Sequence, residues 1–242
     1  MKVHMPPKSR HVAKADRRDR CRLRDRGEAS SHHAQVVKTK GQKNMRFDHS
    51  AILKVGEGRG FVIGAGNARY IITAGHCLPK LPPCASTSYP KERKYDALLG
   101  RLHKEASAGA ECRFVDPIMD IAVLGPPEQA YDYDKLINDV PPLRVGRFQS
   151  AKDLPARLLT LDNRWTPSAV TATENGTIWI RGEAKIKGGM SGSPIVIGDD
   201  IVVGVVTTSA EAGTIQTLHG PQARLTHHLP GWLLCALDIT TV

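Results

Sequence analysis

The chain has 242 residues, of which 40% are hydrophobic, and it carries a formal net charge of +10. None of its apolar runs approaches the ~18 consecutive residues that a membrane-spanning helix needs, so we expect no membrane span. Five cysteines at irregular spacing exclude the disulfide framework of a small secreted scaffold. The length suits one or two compact domains.

The net charge is concentrated at the N-terminus. Residues 1–46 contain 14 Lys and Arg but four Asp and Glu, whereas the rest of the chain contains 20 of each kind. Residues 1–45 are therefore predicted to form a basic, disordered tail. The tail lacks the apolar core of a signal peptide, so we expect a cytoplasmic protein. Met45 lies at the edge of the tail, and a start codon assigned too far upstream is an alternative explanation for it.

Short β-type runs bounded by turn residues dominate the rest of the chain. The predicted strands of the first half are 51–55, 60–64, 68–73, 97–100, 112–115 and 121–124. A polar connector runs from Pro126 to Pro142. The predicted strands of the second half are 143–146, 156–161, 170–173, 177–180, 194–197, 201–207 and 214–218. Asn175-Gly176 and Asp199-Asp200 are predicted turns, and residues 229–234 are predicted to form a short closing helix.

This spacing of strands predicts an all-β fold of closed or sandwiched antiparallel sheets. The connector divides the strands into two halves. A site built from both halves would lie in the cleft between them, on loops that the sheets hold in place.

Three segments contain residue types suited to nucleophilic hydrolysis. They are Thr73-Ala74-Gly75-His76-Cys77, Asp120-Ile121-Ala122-Val123 and Gly188-Gly189-Met190-Ser191-Gly192-Ser193-Pro194. A serine hydroxyl needs a neighbouring base to take its proton, and His76 can serve Ser191 in that way. The imidazole in turn needs a fixed tautomer and a counter-charge, which a buried Asp120 would supply.

The glycines of the third segment suggest a separate task. The tetrahedral intermediate of acyl transfer carries an oxyanion, and the backbone N–H groups of Gly189 and Ser191 are predicted to bind it. Glycine suits position 189 because that peptide must adopt a conformation that side chains disfavour. Asp116 is a rival for Asp120, but it precedes a proline and lacks the apolar run that follows Asp120.

Together the three segments resemble the signature of trypsin-like (chymotrypsin-fold) serine proteases. The segment Gly58-Arg59-Gly60-Phe61-Val62-Ile63 also resembles bacterial members of this family. The resemblance implies two antiparallel six-stranded Greek-key β-barrels with the active site in the cleft between them. It places a peptidase domain at 46–242, with barrels at about 47–127 and 140–238. It also implies catalytic His76, Asp120 and Ser191, a protein or peptide substrate, and neither cofactor nor metal.

The sequence departs from the family pattern at several positions. Met190 replaces the aspartate that pairs with a newly cleaved N-terminus in digestive members, so activation by N-terminal cleavage looks unnecessary. Ser193 replaces the second glycine of the nucleophile loop. The usual disulfide partner of Cys77 is missing, and free buried thiols are expected in preference to a Cys84–Cys112 or Cys77–Cys84 bridge.

Substrate specificity is predicted by family analogy. Lys185, six residues before Ser191, would lie at the base of the specificity pocket and favour acidic side chains, or it points to solvent instead. Thr207, Thr208 and Ser209 would form the edge strand that pairs with substrate.

Two alternative functions remain open from the sequence. The fold is either catalytically silent and used as a binding module, or it is a protease that its basic tail targets to nucleic acid or another polyanion. An unidentified regulatory partner is a further expectation. The pairs His32-His33 and His227-His228 lack ligand spacing and acidic partners, so no metal site is predicted.

Overall fold

Six antiparallel strands form a closed barrel in the first half of the chain. A computed structural model of the protein describes residues 49–82, 90–147, 152–172, 177–182, 185–207 and 225–242. The strand order around the barrel is β1-β2-β3-β6-β5-β4. The strands are β1 (Ile52–Val55), β2 (Gly58–Ala65), β3 (Ala68–Ala74), β4 (Lys94–Arg101), β5 (Ala108–Asp116) and β6 (Ile121–Gly125).

Seven further strands form the second sheet. They are β7 (Arg144–Val145), β8 (Leu154–Leu159), β9 (Trp165–Ala172), β10 (Thr177–Gly182), β11 (Pro194–Ile197), β12 (Ile201–Val205) and β13 (Leu225–His228). Their order is β11-β8-β9-β10-β13-β12-β7, and β11 also pairs with β12. This extra pairing joins six of the strands into an antiparallel ring, with β7 parallel to β12 at its margin. The architecture is therefore the predicted two-barrel, mostly β fold.

The apolar cores of the two sheets meet. One cluster of buried side chains contains Val55 and Ile72 of the first barrel together with Leu159, Val202 and Val205 of the second sheet. A second cluster, which includes Leu158, Ile178, Ile195 and Val203, fills the second ring. Because the larger cluster spans both sheets, the loops at their junction rest on a shared packed core.

Two short α-helices accompany the sheets in the described residues, besides two 3-10 helices at Gly75–Cys77 and Pro90–Arg93. Helix α1 (Tyr131–Ile137) lies in the predicted connector, which does join β6 to β7, but the helix itself was not predicted. Tyr133 and Ile137 are one helical turn apart and both are buried, which anchors α1. Helix α2 (Gly231–Ala236) confirms the predicted closing helix, with Pro230 at its N-cap.

Most predicted strands are confirmed, with ends that shift by a few residues. β13 was not predicted, because Leu225–His228 has no alternation of apolar and polar residues that marks it as a strand. The predicted strand 214–218 and the turn Asn175-Gly176 lie outside the described residues. The two strands beside that turn, β9 and β10, pair as an antiparallel hairpin, with Ile178 opposite Ala172.

Cys77 and Cys112 are buried free thiols, as predicted, and neither takes part in a disulfide. Burial raises the pKa of each thiol to about 11. Cys84 lies outside the described residues.

The chain divides into two units, Met1–Asn44 and Met45–Val242, and all described residues lie in the second unit. The residue limits given above for the tail and for each barrel stay predictions. None of the described helices has both the length and the apolar character needed to cross a membrane.

Candidate active site

His76 lies in a single turn of 3-10 helix, Gly75–Cys77, directly after β3. The two following residues, Cys77 and Leu78, are buried and anchor the turn in the core. The His76 side chain itself is 49% exposed. The turn therefore holds an accessible imidazole at the edge of the first barrel.

Asp120 lies beside this turn because of strand register. Asp120 directly precedes β6, and β6 pairs with β3 so that Ile121 lies opposite Ala74. The Gly75 N–H donates to the Asp120 carbonyl over 2.9 Å, and the His76 N–H donates to Asp120 Oδ1 over 2.8 Å. Asp120 itself has a φ of 54°, a strained value that these contacts hold in place.

The side chains of His76 and Asp120 form a direct pair. His76 Nδ1 lies 2.5 Å from Asp120 Oδ2. An ionised carboxylate only accepts hydrogen bonds, so Nδ1 carries the proton and Nε2 keeps its lone pair in the neutral imidazole. The hydrogen bond to Asp120 raises the pKa of His76 above its ordinary value of 6.5, although desolvation acts in the opposite direction. The arrangement thus supplies a base with a fixed tautomer.

Asp116, the rival considered from the sequence, has a different place. Its Oδ1 accepts hydrogen bonds from the backbone N–H groups of Ile118 and Met119, at 2.9 and 3.0 Å. This is an Asx-type turn that leads the chain into Asp120. The structure therefore pairs Asp120, and not Asp116, with His76.

Ser191 lies in a loop that contacts the first barrel through its backbone. Its carbonyl accepts a hydrogen bond from the Arg59 N–H at 2.7 Å, and Cys77 Sγ lies 3.6 Å from the same oxygen. Cys77 is the neighbour of His76 in sequence, so these contacts bring the histidine turn and the serine loop together. Ser191 and His76 are both described in the structure, and the Ser191 hydroxyl makes no hydrogen bond to the His76 side chain there. Catalytic hydrogen bonds are often long before substrate binds.

Two glycines of this loop have left-handed backbones. Gly189 has a φ of +84° and Gly192 a φ of +81°. A Cβ on Gly192 would stand 1.7 Å from the Arg59 carbonyl oxygen, so position 192 admits only glycine. The Gly192 N–H donates to the Val206 carbonyl at 2.6 Å, and the Val206 N–H donates to the Ser193 carbonyl at 2.9 Å. These bonds fasten the loop to the end of β12.

The family model for the trypsin-like peptidase domain matches residues 58–205, which include His76, Asp120 and Ser191. The chain belongs to the trypsin-like peptidase domain family. No curated protein matches the chain in sequence.

Several solved structures are similar to the chain at low sequence identity. One, from work on the coupled folding and binding of the intrinsically disordered Sesbania mosaic virus VPg protein, is 16% identical over 77% of this chain and 88% of that one, with a TM-score of 0.49. The NSP4 proteinase from Equine Arteritis Virus is 19% identical over 73% and 74%, with a TM-score of 0.41. A glutamic acid specific serine protease, described as using a histidine triad in substrate binding, is 16% identical over 80% and 98%, with a TM-score of 0.46.

Met190 fills the position where this member of the trypsin-like peptidase domain family departs from the digestive members. The side chain is 1% exposed, and its Sδ accepts a hydrogen bond from the Lys187 N–H at 3.4 Å. In return, the Met190 N–H donates to the Lys187 carbonyl at 3.1 Å. The turn before Ser191 is thus closed by its own residues.

The residues predicted to bind substrate are only partly described. Thr207 is 4% exposed and lies two residues after the end of β12, next to the bonds that join Val206 to the serine loop. Lys185 is exposed, which agrees with the prediction that it points to solvent. Thr208 and Ser209 lie outside the described residues. The roles of all four in this trypsin-like peptidase stay predictions.

Sequence reasoning missed Arg59. The residue is charged yet 4% exposed, and its backbone bonds directly to the Ser191 carbonyl. The signal available in the sequence was the position of Arg59 between Gly58 and Gly60, in the segment that resembles bacterial members of the family. Within the described ranges, no group of three or more His, Cys, Asp or Glu side chains is placed to hold a metal ion.

Proposed function

We propose that this protein is a serine endopeptidase that hydrolyses peptide bonds through an acyl-enzyme intermediate. The observation that carries the proposal is the His76–Asp120 pair, in which Nδ1 lies 2.5 Å from the carboxylate and Nε2 keeps its lone pair. This pair occurs in a chain of the trypsin-like peptidase domain family whose Ser191 lies in a glycine-rich loop against the same turn.

In the first half of the proposed reaction, Ser191 Oγ attacks the carbonyl carbon of the scissile peptide bond. His76 Nε2 takes the hydroxyl proton as the new C–O bond forms. Asp120 stabilises the resulting imidazolium and keeps its ring oriented. The N–H groups of Gly189 and Ser191 bind the oxyanion of the tetrahedral intermediate.

In the second half, the intermediate collapses and the C–N bond breaks. His76 Nε2 returns its proton to the leaving amine, and the acyl group stays on Ser191 Oγ. A water molecule then repeats the sequence, giving up its proton to His76 and its oxygen to the acyl carbon. His76 protonates Ser191 Oγ, which restores the free hydroxyl.

The raised pKa of His76 supports this assignment. The Asp120 hydrogen bond favours the imidazolium, which is the form that exists while the tetrahedral intermediate is present. Catalysis also requires the Ser191 hydroxyl to move into hydrogen-bond reach of Nε2. We infer that side-chain rotation on substrate binding achieves this, because the backbone of the loop is fixed by its bonds to Arg59 and Val206.

For substrate binding, we propose that residues 207–209 pair with the peptide as an edge strand. The support is the position of Thr207, which directly follows residues bonded to the serine loop. Lys185 is exposed, so we expect a Lys185→Ala variant to keep the cleavage profile of the unchanged protein on a peptide library. Loss of a preference for acidic side chains in that variant would instead place Lys185 at the base of the pocket.

Labelling by a serine-directed fluorophosphonate tests the proposed function. The unchanged protein is expected to react, and Ser191→Ala is expected to show no labelling. Ser193→Ala is the matched control, because Ser193 is in the same loop, is fully buried, and has a hydroxyl with no hydrogen-bond partner among the described residues. The proposal fails if the unchanged protein does not react or if Ser191→Ala reacts equally well. Either result would favour the binding-module alternative.

A further inference from the structure

The backbone of Arg59 is part of the support for the nucleophile loop. Its N–H donates to the Ser191 carbonyl over 2.7 Å, and its own carbonyl accepts a hydrogen bond from Thr73 Oγ1 over 2.6 Å. The space is tight on both sides. A Cβ on Gly58 would stand 2.7 Å from the Ser191 carbonyl oxygen, and one on Gly192 would clash with the Arg59 carbonyl. Strand β2 is therefore in direct backbone contact with the loop.

The side chain of Arg59 extends from β2 of the first barrel to the second sheet. Its Nη1 donates to the carbonyls of Leu159 and Thr160, at 2.9 and 3.1 Å, and its Nη2 lies 3.4 Å from Asn163 Oδ1. These acceptors belong to the end of β8 and to the turn 160–164 that joins β8 to β9. One planar guanidinium thus binds three acceptors at the end of β8 and in the turn that follows it, a geometry that an ammonium group does not reproduce.

The turn 160–164 lies next to the predicted oxyanion donor. Its ends are joined by the hydrogen bond from the Thr160 N–H to the Arg164 carbonyl at 3.0 Å. A Cβ on Gly189 would lie 3.5 Å from Leu161 Cδ2 and 3.8 Å from the Glu57 carbonyl oxygen. Gly189 therefore lies between the turn that the Arg59 side chain binds and Glu57, which is two residues before Arg59 in sequence.

An arginine is a costly way to fill this space. Burial lowers the pKa of Arg59, and Asp162, the one charged group among the described residues that offsets this, is an exposed carboxylate. Replacing a buried charged group by an apolar side chain of similar volume is often neutral or stabilising. Packing alone therefore does not account for a buried guanidinium at this position, whereas a need to fix three acceptors does.

We propose that Arg59 is a positioning residue, which fixes Ser191 through its backbone and the Gly189 side of the oxyanion site through its guanidinium. The inference rests on the proposed function for its catalytic consequence. Its structural consequence, a fixed turn and a fixed loop, is independent of activity.

Arg59→Met is the main test, since methionine keeps much of the apolar volume and removes every side-chain donor. Arg157→Met is the matched control. Arg157 lies on β8, the strand that ends at Leu159, it is partly buried, and its side chain lies 4.0 Å from Asp199. Two quantities are measured for each variant. They are the fluorophosphonate labelling rate, resolved into probe affinity and inactivation rate, and the amide hydrogen exchange of peptides covering 159–164 and 187–192.

We expect Arg59→Met to stay folded while its inactivation rate falls roughly tenfold to a hundredfold, with little change in probe affinity, because misplacement by about 1 Å costs on that order. Amide exchange is expected to rise in both peptides. Arg157→Met should change neither quantity. A folded Arg59→Met variant with unchanged labelling and unchanged exchange would overturn the proposal.

Arg59→Lys decides the question if the methionine variant does not fold. Lysine keeps the charge but cannot bind the three acceptors together, so we expect an intermediate labelling rate and intermediate exchange. A lysine variant equal to the unchanged protein in both measurements contradicts a positioning role. If the unchanged protein itself does not label, the proposed function fails, and the exchange comparison alone still decides whether Arg59 fixes the two segments.

Discussion

The two halves of the candidate site are held by different kinds of contact. On the first barrel, His76 and Asp120 are joined by a side-chain hydrogen bond of 2.5 Å, and strand register between β3 and β6 places them together. On the second sheet, Ser191 is held almost entirely by backbone bonds, between glycines with left-handed φ values. Side-chain charge and side-chain hydrogen bonding therefore dominate the first half, whereas backbone hydrogen bonds and backbone shape dominate the second. Substitutions in the two halves should fail in different ways.

The largest effect is expected from Asp120→Asn, in the first half. The amide can no longer enforce the tautomer with a proton on Nδ1, so the labelling rate should fall roughly ten-thousandfold while the fold is kept. Asp116→Asn is the control, because its Oδ1 can still accept from the N–H groups of Ile118 and Met119. Thermal melts and fluorophosphonate kinetics on both variants measure this. Equal rates for Asp120→Asn and the unchanged protein would remove Asp120 from the proposed triad.

Gly192→Ala should break the second half through stability. The new Cβ would stand 1.7 Å from the Arg59 carbonyl oxygen, at a φ of +81°, so the free energy of unfolding is expected to fall by about 4 kcal/mol or more. In Gly188→Ala, a matched control four residues earlier, the new Cβ has no atom of the described residues within 4 Å. Urea unfolding measures both variants. Similar stabilities for the two would show that backbone shape does not determine this loop.

A smaller and more specific effect is expected from pH. The hydrogen bond to Asp120 raises the pKa of His76 above 6.5, so the labelling rate should decline in acid with a midpoint above that value. In Asp120→Asn the midpoint should move to lower pH. Because the pKa is raised in the folded state, the imidazolium stabilises the fold below the unfolded-state pKa, and this contribution is lost as pH rises through the folded-state pKa. Equal pH midpoints in the unchanged protein and in Asp120→Asn would show that Asp120 does not raise the pKa of His76.

The smallest effect on the site is expected from removal of residues 1–44. The unit Met45–Val242 contains all the candidate catalytic residues, so the shortened protein should label at the unchanged rate. We propose that the basic tail binds polyanions, in which case the full chain should bind DNA with strong salt dependence and the shortened protein should bind it weakly. Measurement of DNA binding across salt concentrations tests this. Equal binding by both forms would reject a targeting tail.

The sequence predicted most of the first half. His76 and Asp120 are each next to apolar strand residues that identify β3 and β6, and the family pattern assigns their roles. Helix α1 was missed because it relies on two buried residues, Tyr133 and Ile137, within a polar stretch. β13 was missed because its pairing with β10 and β12, rather than its own residue pattern, makes it a strand.

By itself, the sequence determined an all-β fold class and a glycine-rich loop, because strand periodicity and short motifs are local properties of the chain. The two-barrel arrangement and the candidate triad came from the resemblance of those motifs to a known family. The tertiary structure showed that Asp120, which the sequence favoured over Asp116, pairs with His76, because the β3–β6 register places Asp120 beside the histidine turn. It also decided the place of Arg59. Arg59 binds the carbonyls of Leu159 and Thr160, which lie 100 and 101 positions further along the chain. A contact of that separation exists only once the two sheets have packed together, so no pattern of neighbouring residues can predict it.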